Sequence, residues 1–311
     1  MKKLSVVAVA VAMILSFAFS AYAAGIIYII TPSASNPFFA TEQRVGAAKA
    51  AELGYEAKCF SHDDDAAKQL ELFEAAISDK ALAIICDNAG ADASIEAVRK
   101  AVDAKIPVFL IDREINESGL AIAQIVADNA QGAAAIAEKW VEAMDYAGEY
   151  AELLGLESDT NCWVRSQNYH SVIDEYPDFK MVAQQSANWS QTEGYSKTEA
   201  ILQAHPEIKG IICGNDTMAC GAAQACIDAN RTDIKIIGLD GSDEAAAYVA
   251  KGQMVGTALQ QIARITEISV EQADAFIKNG TKPASEKQLV PCVAITKDNV
   301  ANLSQFVYTE K

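Results

Sequence analysis

The chain has 311 residues, of which 42 are acidic and 25 basic, giving a formal net charge of −17, and it is 51% hydrophobic. So acidic a surface repels phosphate backbones, which excludes nucleic acid as a partner. The length suits two domains rather than one hydrophobic core.

Residues 1–23, MKKLSVVAVAVAMILSFAFSAYA, read as a secretory signal. Lys2 and Lys3 form the charged start, Leu4 to Phe19 the apolar middle, and Ala21-Tyr22-Ala23 the small-residue cleavage site. The apolar run is short for a membrane span, and no cysteine follows it closely enough for a lipid anchor. Cleavage would leave a chain beginning at Ala24, outside the cytoplasm.

From there apolar runs of strand length alternate with helix-like segments. The runs AGIIYIIT, YEAKCFS, ALAIICDN, PVFLIDR and LAIAQIVA come first, followed by EYAELLGL, FKMVAQQ, IKGIICGN, IKIIGLDG and MVGTALQ. Between them lie NPFFATEQRVGAAKAAELG, DDAAKQLELFEAAISD, ADASIEAVRKAVDAK, NAQGAAAIAEKWVEAM, SQTEGYSKTEAILQAH and DTMACGAAQACIDAN, each opening on or near an Asn, Asp or Ser able to cap a first turn. This rhythm is that of βαβ units on parallel sheets buried on both faces. It breaks at ADNAQG (127–132), the expected first crossing between two sheets, so each half is expected to be a doubly wound α/β domain.

Seven cysteines follow the signal, an odd number for a disulfide set. Cys59, Cys86 and Cys213 lie in or beside apolar runs and are expected to be buried as small hydrophobes. Cys220 and Cys226 are six apart on a helix, not on one face, so no metal site is expected there.

Open sheets of this kind bind ligands beyond the carboxyl ends of their strands. The residues there are Thr31, Ser33, Asn36, Phe38 and Phe39 after the first run, then Asp87 and Asn88, then Asp112 and Arg113. Glu157 to Arg165, Trp189, Asn215 with Asp216, Asp240 and Gln260 complete the set. Amides, carboxylates and guanidiniums suit a neutral polyhydroxylated ligand, and flat rings suit its C–H faces. Each group also has a plain structural reading. The phenylalanines could plug a sheet edge, Asp112 and Arg113 could be structural ion pairs, Trp189 could pack an interface, and Asp87-Asn88 could cap the next helix.

Signs of catalysis are weak. His62, His170 and His205 have no Ser or Cys nucleophile beside them, GxSxG, HExxH and GxGxxG do not occur, and GNDTMACG lacks the lysine of a phosphate loop. Neither an enzyme nor a cofactor is expected.

With SNPFF (35–39), IDRE (111–114), ADNAQG (127–132), GNDTMACGA (214–222) and IIGLDGS (236–242) in this order, the chain resembles the periplasmic sugar-binding proteins of ABC transporters, of the ribose-binding type among type I periplasmic binding proteins. The resemblance implies two doubly wound parallel-sheet lobes joined by three crossings near 127, 260 and 289. The lobes would be 24–127 plus 261–289 and 128–260 plus 290–311. It implies sugar contacts at Asn36, Phe38, Phe39, Asp112, Arg113, Arg165, Trp189, Asn215, Asp240 and Gln260, with Thr31 or Ser33 adding a hydroxyl. It also implies a monomer in the periplasm that closes on its ligand and is read by a permease in the inner membrane. Leu239 and Trp189 stand where ribose binders carry phenylalanines, so another pentose or a short sugar alcohol is a candidate beside ribose. A sugar-responsive regulator would need a DNA-binding helix-turn-helix where the signal stands. A binding protein that presents sugar to a chemoreceptor or sensor kinase is the alternative to transport.

Overall fold

The computed structural model describes residues 25–310; the signal reading of residues 1–23 lies outside them. The first half runs β1 (Ile26–Thr31), α1 (Pro37–Glu52), β2 (Glu56–Ser61), α2 (Ala66–Ser78), β3 (Ala83–Cys86), α3 (Ile95–Asp103), β4 (Val108–Ile111) and β5 (Ala123–Ala127). The chain continues with α4 (Asn129–Ala143), β6 (Gly148–Leu154), α5 (Thr160–Ile173), β7 (Phe179–Ser186), α6 (Gln191–Ala204), β8 (Gly210–Cys213), α7 (Asp216–Asp228), β9 (Lys235–Asp240), α8 (Asp243–Ala250) and β10 (Gly256–Leu259). Last come α9 (Ile262–Asn279), β11 (Lys287–Val290), β12 (Val293–Thr296), and a hairpin of β13 (Leu303–Ser304) and β14 (Val307–Tyr308).

Two six-stranded sheets result, ordered β11-β5-β4-β3-β1-β2 and β12-β10-β9-β8-β6-β7. Every pairing in the first is parallel, with Ile29 opposite Cys59 on one side and Ile85 on the other. In the second only β12 runs antiparallel. The central strands are buried on both faces, as their unbroken β-branched runs require. The chain passes between the sheets after β5 at Asp128, after β10 at Gln260-Gln261, and between β11 and β12 at Pro291-Cys292. Thus α9 and β11 return to the first lobe, with α9 packed on α1.

The helix starts explain why binding-type residues stand at strand ends. Asn36, Asp65, Asp128, Asp159, Ser190, Asn215 and Ser242 each accept a backbone N–H of the first turn that follows. The capping alternative for Asp87-Asn88 does not hold, because Ser94 occupies the cap position of α3 and makes no side-chain cap bond. Instead Asn88 donates to the Arg113 carbonyl at 2.7 Å.

Leu239 also departs from expectation. It is fully buried with Ile237, Trp140, Tyr169 and Ala258 on the α4 side of the second sheet, so it fills the core and does not shape the cleft. All seven cysteines are free thiols, six of them buried. Among the described residues no helix is long and apolar enough to cross a membrane, and no cluster of metal-ligating side chains occurs.

Candidate functional site

The carboxyl ends of both sheets face each other across a cleft. Its inner end is nearly closed, with room for only about 20 Å³, and it opens outward into a mouth of about 590 Å³, within the ~300–1,000 Å³ of ordinary small-molecule sites. Asn36, Phe38, Phe39, Asp112, Arg113, Asp159, Arg165, Trp189, Asn215, Asp240 and Gln260 line this inner chamber.

From the first lobe, Asn36 accepts the Phe38 amide at 3.0 Å while its Nδ2 donates across the cleft to Thr217 Oγ1 at 3.4 Å. Phe38 and Phe39 meet edge to face at 5.5 Å and are 3% and 8% exposed, so the pair forms a wall of the chamber. Ser33 stands at the outer mouth, bonded to Ser35. Thr31 does not reach the chamber: it is buried beneath the loop, its hydroxyl donating to the Pro32 carbonyl and accepting from Gln43.

Asp112 has a left-handed backbone, φ 58°, a costly state for a residue with a side chain that is characteristic of functional sites. Burial pushes its carboxyl up to about 6, against the pull of Arg165. Its Oδ1 is buried without a partner. The next residue, Arg113, is 2% exposed and encircled by acids. Its Nη1 donates to Asp64 at 2.6 Å and to the Asn88 carbonyl at 3.0 Å. Its Nε lies 2.9 Å from Asp159 of the second lobe and 3.4 Å from Asp87, and the guanidinium covers the Phe39 ring at 5.3 Å.

In the second lobe Arg165 donates to Asn129 Oδ1 at 2.8 Å and to the Gly214 carbonyl at 2.9 Å, lies 3.5 Å from Asp240 and covers the Trp189 indole at 5.2 Å. Trp189, φ 59°, fits because two neighbours lack side chains. A Cβ on Gly155 would fall 2.0 Å from the indole, and one on Gly214 2.9 Å. Asn215 caps α7 through the Met218 amide at 2.9 Å. Asp240, φ 145°, accepts from Gln260 Nε2 at 2.8 Å, and burial holds its carboxyl well above the usual range despite Arg165.

Three buried polar atoms among the lining residues have no protein partner: acceptors Asp112 Oδ1 and Gln260 Oε1 and the donor Trp189 Nε1. Each orphan costs ~1–3 kcal/mol unless something bonds it. Three carboxylates, Asp112, Asp159 and Asp240, line the cleft with two guanidiniums, and Asp159 and Asp240 already face Arg113 and Arg165 at 2.9 and 3.5 Å. What the cleft offers a ligand is hydrogen-bonding groups and flat rings, which suit a small neutral molecule that both gives and accepts hydrogen bonds. This arrangement binds; it holds no activated nucleophile.

Sequence reasoning missed several participants. Asp159 was within a broad window but not singled out, and Asn129 sat unread inside ADNAQG. Asn161 donates to the Asp112 carbonyl at 3.2 Å and accepts from Asn129, joining the lobes behind the arginines. Glu42 lies fully buried without a hydrogen-bond partner, near Asp87, a member of the strand-end set that lies 3.4 Å from Arg113 Nε; burial pushes both carboxyls well up. Glu42 is hidden in sequence because an acid on an amphipathic helix normally faces water.

The profile of the periplasmic binding protein domain matches residues 27–282. The D-apiose import binding protein of Actinobacillus succinogenes is 54% identical over 283 residues, 91% of each chain. That of Paraburkholderia graminis is 50% identical over 287 residues, 92% of each. Among solved structures, an ABC transporter periplasmic solute-binding protein from Actinobacillus succinogenes with bound D-allose superposes with a TM-score of 0.84 at 29% identity, covering 89% of this chain and 99% of that one.

Proposed function

The chain belongs to the periplasmic binding protein family, as a sugar-binding protein of an ABC importer that acts outside the cytoplasm and is not an enzyme, and from that premise we propose that its ligand is D-apiose. D-Apiose is a branched pentose, small and neutral. The observation that carries this reading is the set of unbonded donors and acceptors, Asp112 Oδ1, Gln260 Oε1 and Trp189 Nε1, buried together in the cleft between the lobes. Two relatives named for D-apiose import, at 54% and 50% identity, favour this pentose over ribose or a sugar alcohol.

In the proposed mechanism, sugar first meets the groups of one lobe and then recruits the other. The three crossings act as hinge, and the lobes they delimit move as units. Closure needs a ligand that binds the closed form better than the open one, and contacts from both lobes supply that difference. Asn36, Phe38, Phe39, Asp112 and Arg113 would contribute from one side, and Arg165, Trp189, Asn215, Asp240 and Gln260 from the other. A permease in the inner membrane would then take sugar from the closed form in the periplasm.

The test is a calorimetric titration of residues 24–311 with D-apiose, D-ribose, xylitol, D-allose and myo-inositol. One-to-one binding of D-apiose at least tenfold tighter than of D-ribose is expected. No heat with D-apiose, or tighter binding of another sugar, refutes the assignment.

A further inference from the structure

We propose that Phe306, on the C-terminal hairpin, is a positioning residue of the cleft: it clamps Phe38 from the opposite lobe and so forms part of the ligand wall only when the lobes are closed.

The hairpin belongs to the second lobe. β13 packs against α8, and the Gln305 amide donates to Asp243 Oδ1 at 2.8 Å. Between β13 and β14 the turn is two residues, Gln305 and Phe306, at φ 50° and 60°. Two-residue turns with both residues left-handed are the province of Asn-Gly, because a side chain is strained there. This chain places a bulky ring at the position where glycine would relax the turn. Strain of this kind persists where the surroundings hold it in place.

What holds Phe306 is the first lobe. Although it sits at a hairpin tip, the residue is only 4% exposed, its ring edge to face with Phe38 at 5.6 Å and 85°. Phe38 in turn meets Phe39 edge to face at 5.5 Å. The ring that walls the chamber is therefore gripped between a neighbour on its own helix and a residue from the other lobe. Phe306 also lines the outer cleft beside Asn36, Trp189 and Asp240. Opening the lobes would part Phe306 from Phe38 and return both rings to water, so the contact counts toward the closed form alone. An aromatic pair of this geometry is worth up to about tenfold in an equilibrium.

The experiment compares wild type, Phe306→Ala and Phe306→Leu by titration and stopped-flow tryptophan fluorescence with D-apiose. Phe306→Ala is expected to weaken affinity about tenfold through a faster off-rate, with an unchanged on-rate, and Phe306→Leu to recover part of it. A residue that merely stabilised the hairpin would lower the melting temperature and leave the off-rate alone, and that result overturns the proposal. Ligand-free protein gives an arm that needs no sugar. A nitroxide on Ala34→Cys, in a Cys59→Ala background that removes the half-buried thiol and with the other six native thiols buried, reports the closed minority through broadening of α7 amides. Phe306→Ala should reduce that broadening several-fold; equal broadening overturns the clamp. Wild type that ignores D-apiose refutes the sugar assignment alone, and the nitroxide arm then decides the clamp.

Discussion

Gly155→Ala is expected to damage sugar binding through one atom. The new Cβ would lie 2.0–2.2 Å from three consecutive atoms of the Trp189 indole, Cζ2, Cη2 and Cζ3, whereas ordinary contact begins at 3.4 Å. The indole must retreat by about 1.4 Å, and it borders an inner cleft with room for only about 20 Å³. Gly155 is not in the left-handed region, so alanine adds no backbone strain of its own. Overpacking of this kind costs ~1–3 kcal/mol. Where the displaced indole also takes Nε1 away from the ligand, affinity should fall about 5- to 150-fold. The assay is a double-mutant cycle with Trp189→Phe, followed by calorimetric titration and thermal melting. Phenylalanine lacks the three outer atoms, so Gly155→Ala should cost little in that background, giving a coupling of at least ~1 kcal/mol. Two substitutions that add to within ~0.5 kcal/mol would refute the slot that Gly155 and Gly214 are argued to form.

Arg165→Ala leaves Asn129 Oδ1 and the Gly214 carbonyl without their donor and Asp240 without its counter-charge, so loss of binding by at least ~100-fold is expected with the far-ultraviolet spectrum retained. Asp112→Ala should do the same, and unchanged affinity in both variants would sink the site assignment. Asp159→Asn keeps the α5 cap but removes the second-lobe charge 2.9 Å from Arg113, so stopped-flow release should quicken about 10- to 100-fold; an unaltered off-rate would deny the pair a part in closure. His62 is held neutral, its pKa pushed down to about 4 chiefly by burial, with Nε2–H on the Asp87 carbonyl. Between pH 6.5 and 4 the unfolded chain therefore binds a proton that the folded one refuses, and stability falls with acid by up to about 3 kcal/mol. Asp112 and Asp216, raised by burial to about 6, gain protons more readily when folded and act in the opposite sense. Denaturant titrations of wild type and His62→Gln across this range cancel those shared contributions, and parallel stability curves would exclude the histidine effect.

The parallel strands were legible because buried-on-both-faces strands are written as unbroken Ile, Val and Leu runs such as IIYIIT and VFLI. α5 was not legible, because the side it buries is Asn161, Cys162, Arg165, Ser166 and Tyr169, mostly polar residues that leave no apolar period. β11, KQLV, is a short edge strand with alternate residues exposed, so it lacks the run of its neighbours. Candidate binding residues could be found by topology alone, since chemistry collects where strands stop and helices begin. Side-chain direction could not be found that way. Leu239 and Asp240 are adjacent in sequence, yet the strand alternation sends Leu239 into the core beside Ile237 and leaves Asp240 at the cleft. Phe306 was invisible because its partner, Phe38, is far away in sequence and meets it only across the cleft.

Three passages between the sheets mean that neither lobe is a continuous stretch of chain. β1 to β5 cannot complete the first sheet until α9 and β11 exist, and the second sheet waits for β12. A growing polypeptide therefore has no finished lobe to close around its core before residue 290 has been made. Long-range pairings of this kind also assemble slowly. A chain that cannot finish either sheet until its last strands are made has longer to remain threadable, which suits a protein that acts beyond the cytoplasm and so has a membrane to cross.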